Sequence, residues 1–376
     1  MRRSAGFTLI ELLSAIAIFA ILAGMLFQMI RGSLDIWRMG EGERESQEKG
    51  QLLLNEIAAE LRMIRADSAP GDSLVPVRLI SDYGLFDLNL DQKDDSVLQR
   101  LRFVRSCPEE LMQAGLRRAG DLPGGTARSS DTEVTSAQAR APGGLAEVAY
   151  ATLRLPEKNA DPALLSLYRL FRTPIGGDDS LFASKLLDRP QQLEREALPL
   201  ADNVLFLGFE FWSRETRGWS EPPDQEGGPL TVWDSTRGSL LERRNFNSFL
   251  LAKSAESERQ PDDDVFPRRI RVTLVLARDE DESATATLKN AVGSVSKTIL
   301  VENLAPFSGG SEVYPYLKID GEWMRFSPGA GSELKVIRGQ RRTVPMPHEP
   351  GARIHRGRTF SRVVEIPVYR ENWNDS

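Results

Sequence analysis

The chain has 376 residues, 40% apolar and 27% charged with only 7% aromatics, and a formal net charge of −6. These proportions exclude a collagen, a coiled coil and a wholly disordered chain, and the mild acidity leaves no chain-wide basic field for nucleic acid. A single cysteine, Cys107, excludes an intramolecular disulfide, and no CxxC or Cys/His spacing exists for structural zinc. Two histidines, His348 and His355, leave little material for His-based catalysis.

The apolar residues concentrate in residues 7–30, FTLIELLSAIAIFAILAGMLFQMI, which hold one formal charge, Glu11. As a helix this segment would measure roughly 36 Å, enough to cross a hydrocarbon core of about 30 Å with some tilt. Arg2 and Arg3 precede it and favour a cytoplasmic amino end, although Arg31 and Arg38 follow soon after. Glu11 is costly in such a place, about 2.5–3.5 kcal/mol near a helix centre and less near an end, and so calls for a partner. A secretory signal peptide accounts poorly for it, because the acid shortens the uninterrupted apolar run that must precede Ala15-Ile16-Ala17. A plain membrane anchor accounts for the length of the segment and not for the acid.

Basic residues, then Gly6-Phe7-Thr8-Leu9-Ile10-Glu11, then an apolar run: this order resembles the prepilin signature of type IV pilins and type II secretion pseudopilins. The resemblance implies that a membrane-embedded aspartyl prepilin peptidase cuts after Gly6 and that the new amino terminus at Phe7 is methylated. Glycine suits the position before the cut, since a backbone without a Cβ enters a protease cleft unobstructed. Cleavage would leave a cationic amine at Phe7 at the bilayer edge, and Glu11 of a neighbouring, axially shifted subunit would supply its anion. On this reading Gly6 and Phe7 are processing residues, Phe7 and Glu11 are assembly residues, and the partners are the peptidase, other minor and major pseudopilins and inner-membrane lipid.

Residues 31–65 continue with a helical pattern. Leu54, Ile57, Leu61 and Ile64 recur at spacings of three, four and three, with Leu53 on the same stripe. Gly40, Gly42 and Gly50 interrupt it, and a bend or a locally melted turn is expected near Gly40 and Gly42. A rod this long cannot be buried by one globular domain, so packing beside similar rods is its natural outlet.

From residue 66 the period changes to two. Strands are expected over residues 77–80, 85–90, 97–105, 146–155, 164–172, 203–212, 270–277, 298–302 and 362–369. Leu205, Leu207, Phe209 and Phe211 should share one face, as should Ile270, Val272, Leu274 and Leu276. With no strand–helix alternation, the expected fold is α+β: a long amino-terminal helix followed by an antiparallel β-rich domain of two packed sheets, residues 66–376. Residues 119–144, rich in Gly, Ser, Ala, Thr and Pro, read as a disordered surface loop.

Several strands, notably Glu147-Val148-Ala149-Tyr150, Leu167-Tyr168-Arg169, Phe209-Glu210-Phe211-Trp212 and Arg269-Ile270-Arg271-Val272, resemble the periplasmic domain of the J-type minor pseudopilin of type II secretion. That resemblance implies a non-enzymatic component at or near the tip of a short pseudopilus, anchored once in the bacterial inner membrane with its carboxy-terminal domain in the periplasm, and without a cofactor. A minor pilin of a type IV pilus, serving adhesion, motility or DNA uptake, shares the signature. A membrane-tethered envelope enzyme would need a nucleophile–base pair, and none is recognisable in the sequence.

Relative to that family the chain is long, and residues 301–355 read as an insertion. Within it, residues 316–326 form a hairpin pattern around Asp320-Gly321. Between Lys335 and Arg358 there are seven Lys or Arg residues against the single acid Glu349. Nucleic acid is disfavoured as their partner because no aromatic stacking series accompanies them, and His348 and His355 read as surface residues. Asp87, Asn89, Asp91 and Asp95 match positions 1, 3, 5 and 9 of a calcium loop, but Gln92 replaces its glycine and Leu98 its bidentate glutamate.

Overall fold

The computed structural model describes residues 9–65, 78–86, 96–106, 145–154, 161–172, 180–182, 187, 190–213, 218–219, 230–235, 238–244, 251–252, 266–277, 286–304, 307 and 315–367. Cys107, the segment 119–144 and the calcium-loop candidates Asp87, Asn89, Asp91 and Asp95 lie outside the described residues. The fold is α+β: one long helix followed by a β-rich body. The chain divides into two compact units, one ending at Lys49 and the other beginning at Gly50.

The helix α1 (Leu9–Arg62) is continuous through Gly40 and Gly42. The melted turn expected there does not form; a glycine costs up to about 1 kcal/mol in a helix interior, which the long run of intrahelical bonds on both sides absorbs. Charge pairs support the exposed surface nearby, with Arg44 joined to Glu41 at 2.7 Å and to Glu48 at 3.3 Å, the i,i+3 and i,i+4 spacings at which helical side chains meet.

In the second unit the main sheet takes its strands from most of the chain. They are β1 (Leu79–Phe86), β2 (Ser96–Ser106), β3 (Leu145–Leu153), β4 (Leu165–Arg172), β5 (Leu198–Ser213), β6 (Gly218–Trp219), β7 (Leu230–Asp234), β8 (Gly238–Arg244), β9 (Leu251–Ala252) and β10 (Arg269–Leu276). A smaller sheet follows, of β11 (Ala286–Thr287), β12 (Thr298–Leu300), β13 (Tyr316–Ile319), β14 (Glu322–Pro328), β15 (Glu333–Gln340) and β16 (Arg353–His355). The chain then returns to the main sheet as β17 (Arg358–Glu365). The main sheet runs β17-β10-β5-β4-β3-β2-β1-β7-β8-β9, with β6 paired to β5. The two runs expected at 77–80 and 85–90 are one strand, β1, paired residue for residue with β2 from Leu79↔Phe103 to Phe86↔Ser96.

The apolar stripe of α1 covers one face of this sheet. Leu53, Leu54, Ile57, Ala58, Leu61 and Ile64 are buried against Phe103, Val148, Tyr150, Leu167, Phe209 and Val272, among others. Burying each large aliphatic side chain is worth roughly 1.5–3 kcal/mol, so this stripe is the principal attachment of the helix. Gly50 has a packing reason: a Cβ there would come within 2.5 Å of the Phe360 ring on β17. Beyond the helix, Arg65 N–H donates to the Val104 carbonyl at 3.1 Å and Ser106 N–H to that of Met63 at 2.9 Å, so the exit from α1 pairs with β2.

Polar contacts fix the register of helix on sheet. Glu60, 5% exposed, accepts from Tyr150 Oη at 2.5 Å and Arg169 Nε at 3.1 Å, and lies 3.3 Å from Arg105 Nη2. Both guanidinium groups also lie about one ring away from Phe171, at 5.5 and 5.4 Å from its centroid. Burial, reinforced by the Glu60 carboxylate, pushes the Tyr150 hydroxyl well above its ordinary pKa, so it stays a donor. Further along, the Gln99 side chain acts as a piece of strand: its Nε2 donates to the Phe209 carbonyl at 2.9 Å and its Oε1 accepts from Phe209 N–H at 2.8 Å.

Leu205 departs from the face it was expected to share with Leu207, Phe209 and Phe211. The pairing of β10 with β5 shifts register between Val275 and Leu276, so that Val275 faces Phe206 and Leu276 faces Val204. A bulge places one extra residue on β5 and turns Leu205 to the opposite face, where it packs with Val275, Ala277 and Trp323.

The smaller sheet runs β11-β16-β13-β14-β15-β12, and its ends meet. Leu288 bridges Val301, Lys289 N–H donates to the Leu300 carbonyl at 2.9 Å and Glu302 N–H to that of Thr287 at 3.0 Å, closing a small barrel. Its interior is its own core of Leu288, Ile299, Leu317, Met324, Phe326, Val336 and neighbours. The β13–β14 turn is tight, with Ile319 paired to Glu322 and Asp320 at φ 49°. The barrel begins at Ala286, upstream of the 301–355 stretch singled out in the sequence, and sits within the β10-to-β17 connection.

The barrel is bolted to the sheet face opposite α1. Lys318, 1% exposed, donates from Nζ to the carbonyls of Ala163 at 2.7 Å and Leu205 at 3.0 Å. His355 Nε2 lies 2.8 Å from Asp161 Oδ2, and the Arg341 guanidinium stacks among Phe206, Tyr316 and Trp323 at 4.3, 4.6 and 4.3 Å. At the return to β17, Gly357 (φ 67°) is required, since a Cβ would meet Leu205 and Val275 at 2.6 Å.

Neither histidine is on the surface: His348 is 2% and His355 5% exposed, because carboxylates placed by distant segments draw them inward. Glu322, fully buried, accepts from Arg338 Nε at 2.7 Å and Nη2 at 2.6 Å and from Gly339 N–H at 3.0 Å and Met346 N–H at 3.1 Å. His348 Nε2 approaches Glu322 at 2.9 Å while its Nδ1 approaches Asp320 at 2.7 Å. Two carboxylates facing both ring nitrogens require both to donate, so His348 is an imidazolium here. Burial opposes that charge, but Asp320 and Glu322 outweigh it and the His348 pKa is raised.

Two outcomes follow from these buried charges. Glu60→Ala leaves Arg105 and Arg169 buried without their anion and should lower the unfolding free energy by about 3 kcal/mol or more, measured by denaturant unfolding of the full chain in neutral detergent. A raised folded-state pKa means that the His348 contribution is fully present below the unfolded value of 6.5 and is lost as pH rises through the folded value. The wild-type denaturation midpoint should therefore fall as pH is raised above 6.5, and His348→Gln should flatten that fall.

Candidate functional site

The described part of the first unit begins at Leu9, at the start of α1, and the following residues leave little for a folded body to hold. The segment Leu12–Leu34 is long and apolar enough to cross a membrane, and none of it is buried inside the structure. Ile16, Phe19, Leu22, Met25, Leu26 and Phe27 are each about 60–70% exposed, pointing around the full circumference. A helix hydrophobic all round belongs in lipid or among other apolar helices, since leaving each such side chain in water forgoes roughly 1.5–3 kcal/mol. Near its start the Ser14 hydroxyl donates to the Ile10 carbonyl at 2.8 Å, removing an unsatisfied donor from an apolar surface.

Glu11 lies on the first turns of α1, one turn before Ala15 and Ile16. Gly6 and Phe7 lie outside the described residues. What the fold brings together is therefore an acidic position near the helix start and an uncovered apolar helix. Its carboxy-terminal part carries the stripe that docks on the sheet.

The family model described as the prokaryotic N-terminal methylation motif matches residues 1–27. The chain carries a prepilin-type amino terminus. The match takes in Gly6, Phe7, Glu11 and most of the apolar segment, and it supports a pilin-like protein that is processed by prepilin peptidase and anchored through its amino-terminal helix. It covers 27 of 376 residues and does not distinguish among pilin-like subfamilies. No curated protein and no solved structure matches the chain.

Among the described residues, no three His, Cys, Asp or Glu side chains form a group that could hold a metal ion. The acidic–histidine cluster of Asp320, Glu322 and His348 is a closed ion network, with Arg338 occupying both oxygens of Glu322. The basic stretch 335–358 does not form one patch either. Arg338 is spent on Glu322, Arg341 on three rings and Arg342 on Tyr83 at 4.0 Å, while Arg356 and Arg358 lie over Phe326 and Phe360. Sequence reasoning missed Glu60, Tyr150, Arg105 and Arg169; an acid interrupting the helix stripe, four residues before Ile64, was the available signal.

Proposed function

We propose that this chain is a minor pseudopilin of a type II secretion system, a non-enzymatic subunit at or near the tip of a short periplasmic pseudopilus. The observation that carries the reading is the prepilin-type motif in register with an unburied apolar helix whose continuation docks a β-rich body. In this reading prepilin peptidase cuts after Gly6 while the segment lies in the inner membrane, and the body is on the periplasmic side. The cationic amine formed at Phe7 pairs with Glu11 of an axially shifted neighbour. In apolar surroundings an unpaired charge is expensive, so the pair favours one axial offset between subunits over others. The patterned strands Glu147-Val148-Ala149-Tyr150 and Phe209-Glu210-Phe211-Trp212 support the J-type subfamily. Neighbouring genes for a secretin would support secretion, and those for a retraction motor would instead point to a minor pilin of a type IV pilus.

Intact-mass and amino-terminal peptide measurements on protein coexpressed with prepilin peptidase should find a chain that begins at methylated Phe7. Gly6→Leu should leave the leader attached, and a wild-type chain that still begins at Met1 would overturn the reading. Glu11→Leu should be cleaved normally yet be depleted from filament or tip-complex pull-downs by about tenfold, the ratio that corresponds to about 1.4 kcal/mol. Undiminished incorporation would remove the proposed charge pairing.

A further inference from the structure

Among the described residues, the tryptophans of the body each meet another ring. Trp212 and Trp219 meet edge-on with centroids 5.4 Å apart, Trp233 lies 5.4 Å from Phe211 and Trp323 lies 6.1 Å from Phe206. Trp37 differs: it is 67% exposed on α1 and has no ring contact among the described residues. Its indole carries a large apolar surface and one N–H, so it is best placed where an apolar layer borders a supply of acceptors.

Trp37 stands just beyond the apolar segment of the helix. That segment, Leu12–Leu34, ends three residues earlier, about 4.5 Å along the axis. The headgroup layer on each side of a hydrocarbon core is roughly 5–7 Å deep, so Trp37 falls inside it when Leu34 marks the edge of the core. Helical side chains lean toward the amino end, which brings the indole back over the turn that holds Leu34. In sequence, Arg31, Asp35 and Arg38 are the first formal charges after Glu11, so apolar solvation gives out over the same two turns. Of these only Arg31 lies within the segment, one turn from its end, where a long stem keeps the guanidinium at the edge. At the other end, the same placement leaves Glu11 just outside the segment, and no acid is held in hydrocarbon.

We propose, on the reading that Leu12–Leu34 spans a bilayer, that Trp37 is an interfacial anchor. In the unassembled subunit its indole lies in the phospholipid headgroup layer, donates its N–H to ester or phosphate oxygens, and holds α1 at one depth. Lipid suits the residue better than a second apolar helix, which offers the N–H no acceptor, and better than water, which leaves the ring exposed. An anchor is needed because the segment is apolar on every side. Such a helix slides along its axis at little cost, since a residue that leaves the core at one end is replaced by another at the opposite end.

The test reconstitutes the full chain in phosphatidylethanolamine–phosphatidylglycerol vesicles that carry lipids brominated at shallow or at deep acyl positions. The Trp37 signal is the emission lost in Trp37→Tyr, a change that keeps an interfacial aromatic. It should be quenched about threefold more by shallow than by deep bromines, and little by aqueous iodide. Leu22→Trp in the Trp37→Tyr background, read against that background alone, reports from the middle of the segment and should show the reverse preference. In a Trp37→Ser background the same reporter should lose about half of its deep-to-shallow quenching ratio, as the helix leaves its fixed depth. Quenching of Trp37 by iodide alone, by deep bromines or by neither, with Leu22→Trp still reached from deep positions, would overturn the anchor and leave the span intact. An unchanged ratio in the Trp37→Ser background would overturn its hold on depth. Leu22→Trp reached by iodide and not by bromines would instead remove the membrane reading, and the anchor with it.

Discussion

The body depends on how one amphipathic stretch of helix is seated on a sheet. Apolar burial of Leu53, Leu54, Ile57, Leu61 and Ile64 supplies most of the free energy, but it is indifferent to small slides and rotations. Glu60 removes that indifference. Its carboxylate meets Tyr150 of β3, Arg105 of β2 and Arg169 of β4, so three adjacent strands and the helix are fixed by a single buried anion. Losing Glu60 would strand two guanidinium charges in a medium that solvates them poorly, and this is how a modest net gain in stability comes with a strict choice of register.

The consequence reaches the amino-terminal segment. The docked stripe is used up on the body's own sheet, whereas none of Leu12–Leu34 is buried. One continuous helical element therefore carries two solvation regimes, set by sequence alone: apolar residues on every side before Leu34, then a single stripe flanked by charges. A prepilin-type motif at residues 1–27 gives the uncovered part a destination in lipid and among other apolar helices.

The outline of this fold was legible because hydrophobic period is local. The apolar span, the helix stripe and the strand alternation of β2, β4 and β10 all came from spacings of three, four or two, and the Asp320 turn came from its residue types. Features that depend on distant segments were not legible. His348 and His355 look like surface residues in a basic stretch until Asp320, Glu322 and Asp161 are folded around them. Leu205 changes face because of one extra residue on β5, which no alternation rule anticipates. The Glu60 partners lie 45, 90 and 109 positions away, as read from residues 105, 150 and 169, so only the acid itself was visible.

The insertion shows how a sheet accepts a second module without loss. β10 and β17 pair over eight residues, from Arg269↔Glu365 to Leu276↔Arg358, so their alignment is set whether the connection is short or long. Lengthening a connection costs little, because closure entropy rises only with the logarithm of loop length. What must be solved is the new surface, and the barrel solves it twice. Inward it matches the sheet with Lys318, His355 and Arg341, each spent on a carbonyl, a carboxylate or a ring; outward it shows water charges of both signs, Lys289, Lys297, Arg325, Lys335 and Arg353 with Glu302 and Glu349. Barrel stability accounts for the first group, since each lies buried or stacked where a mismatch would be costly. The second group stays hydrated, so the barrel adds a core and one matched face to the fold without asking the sheet to bury an unpaired charge.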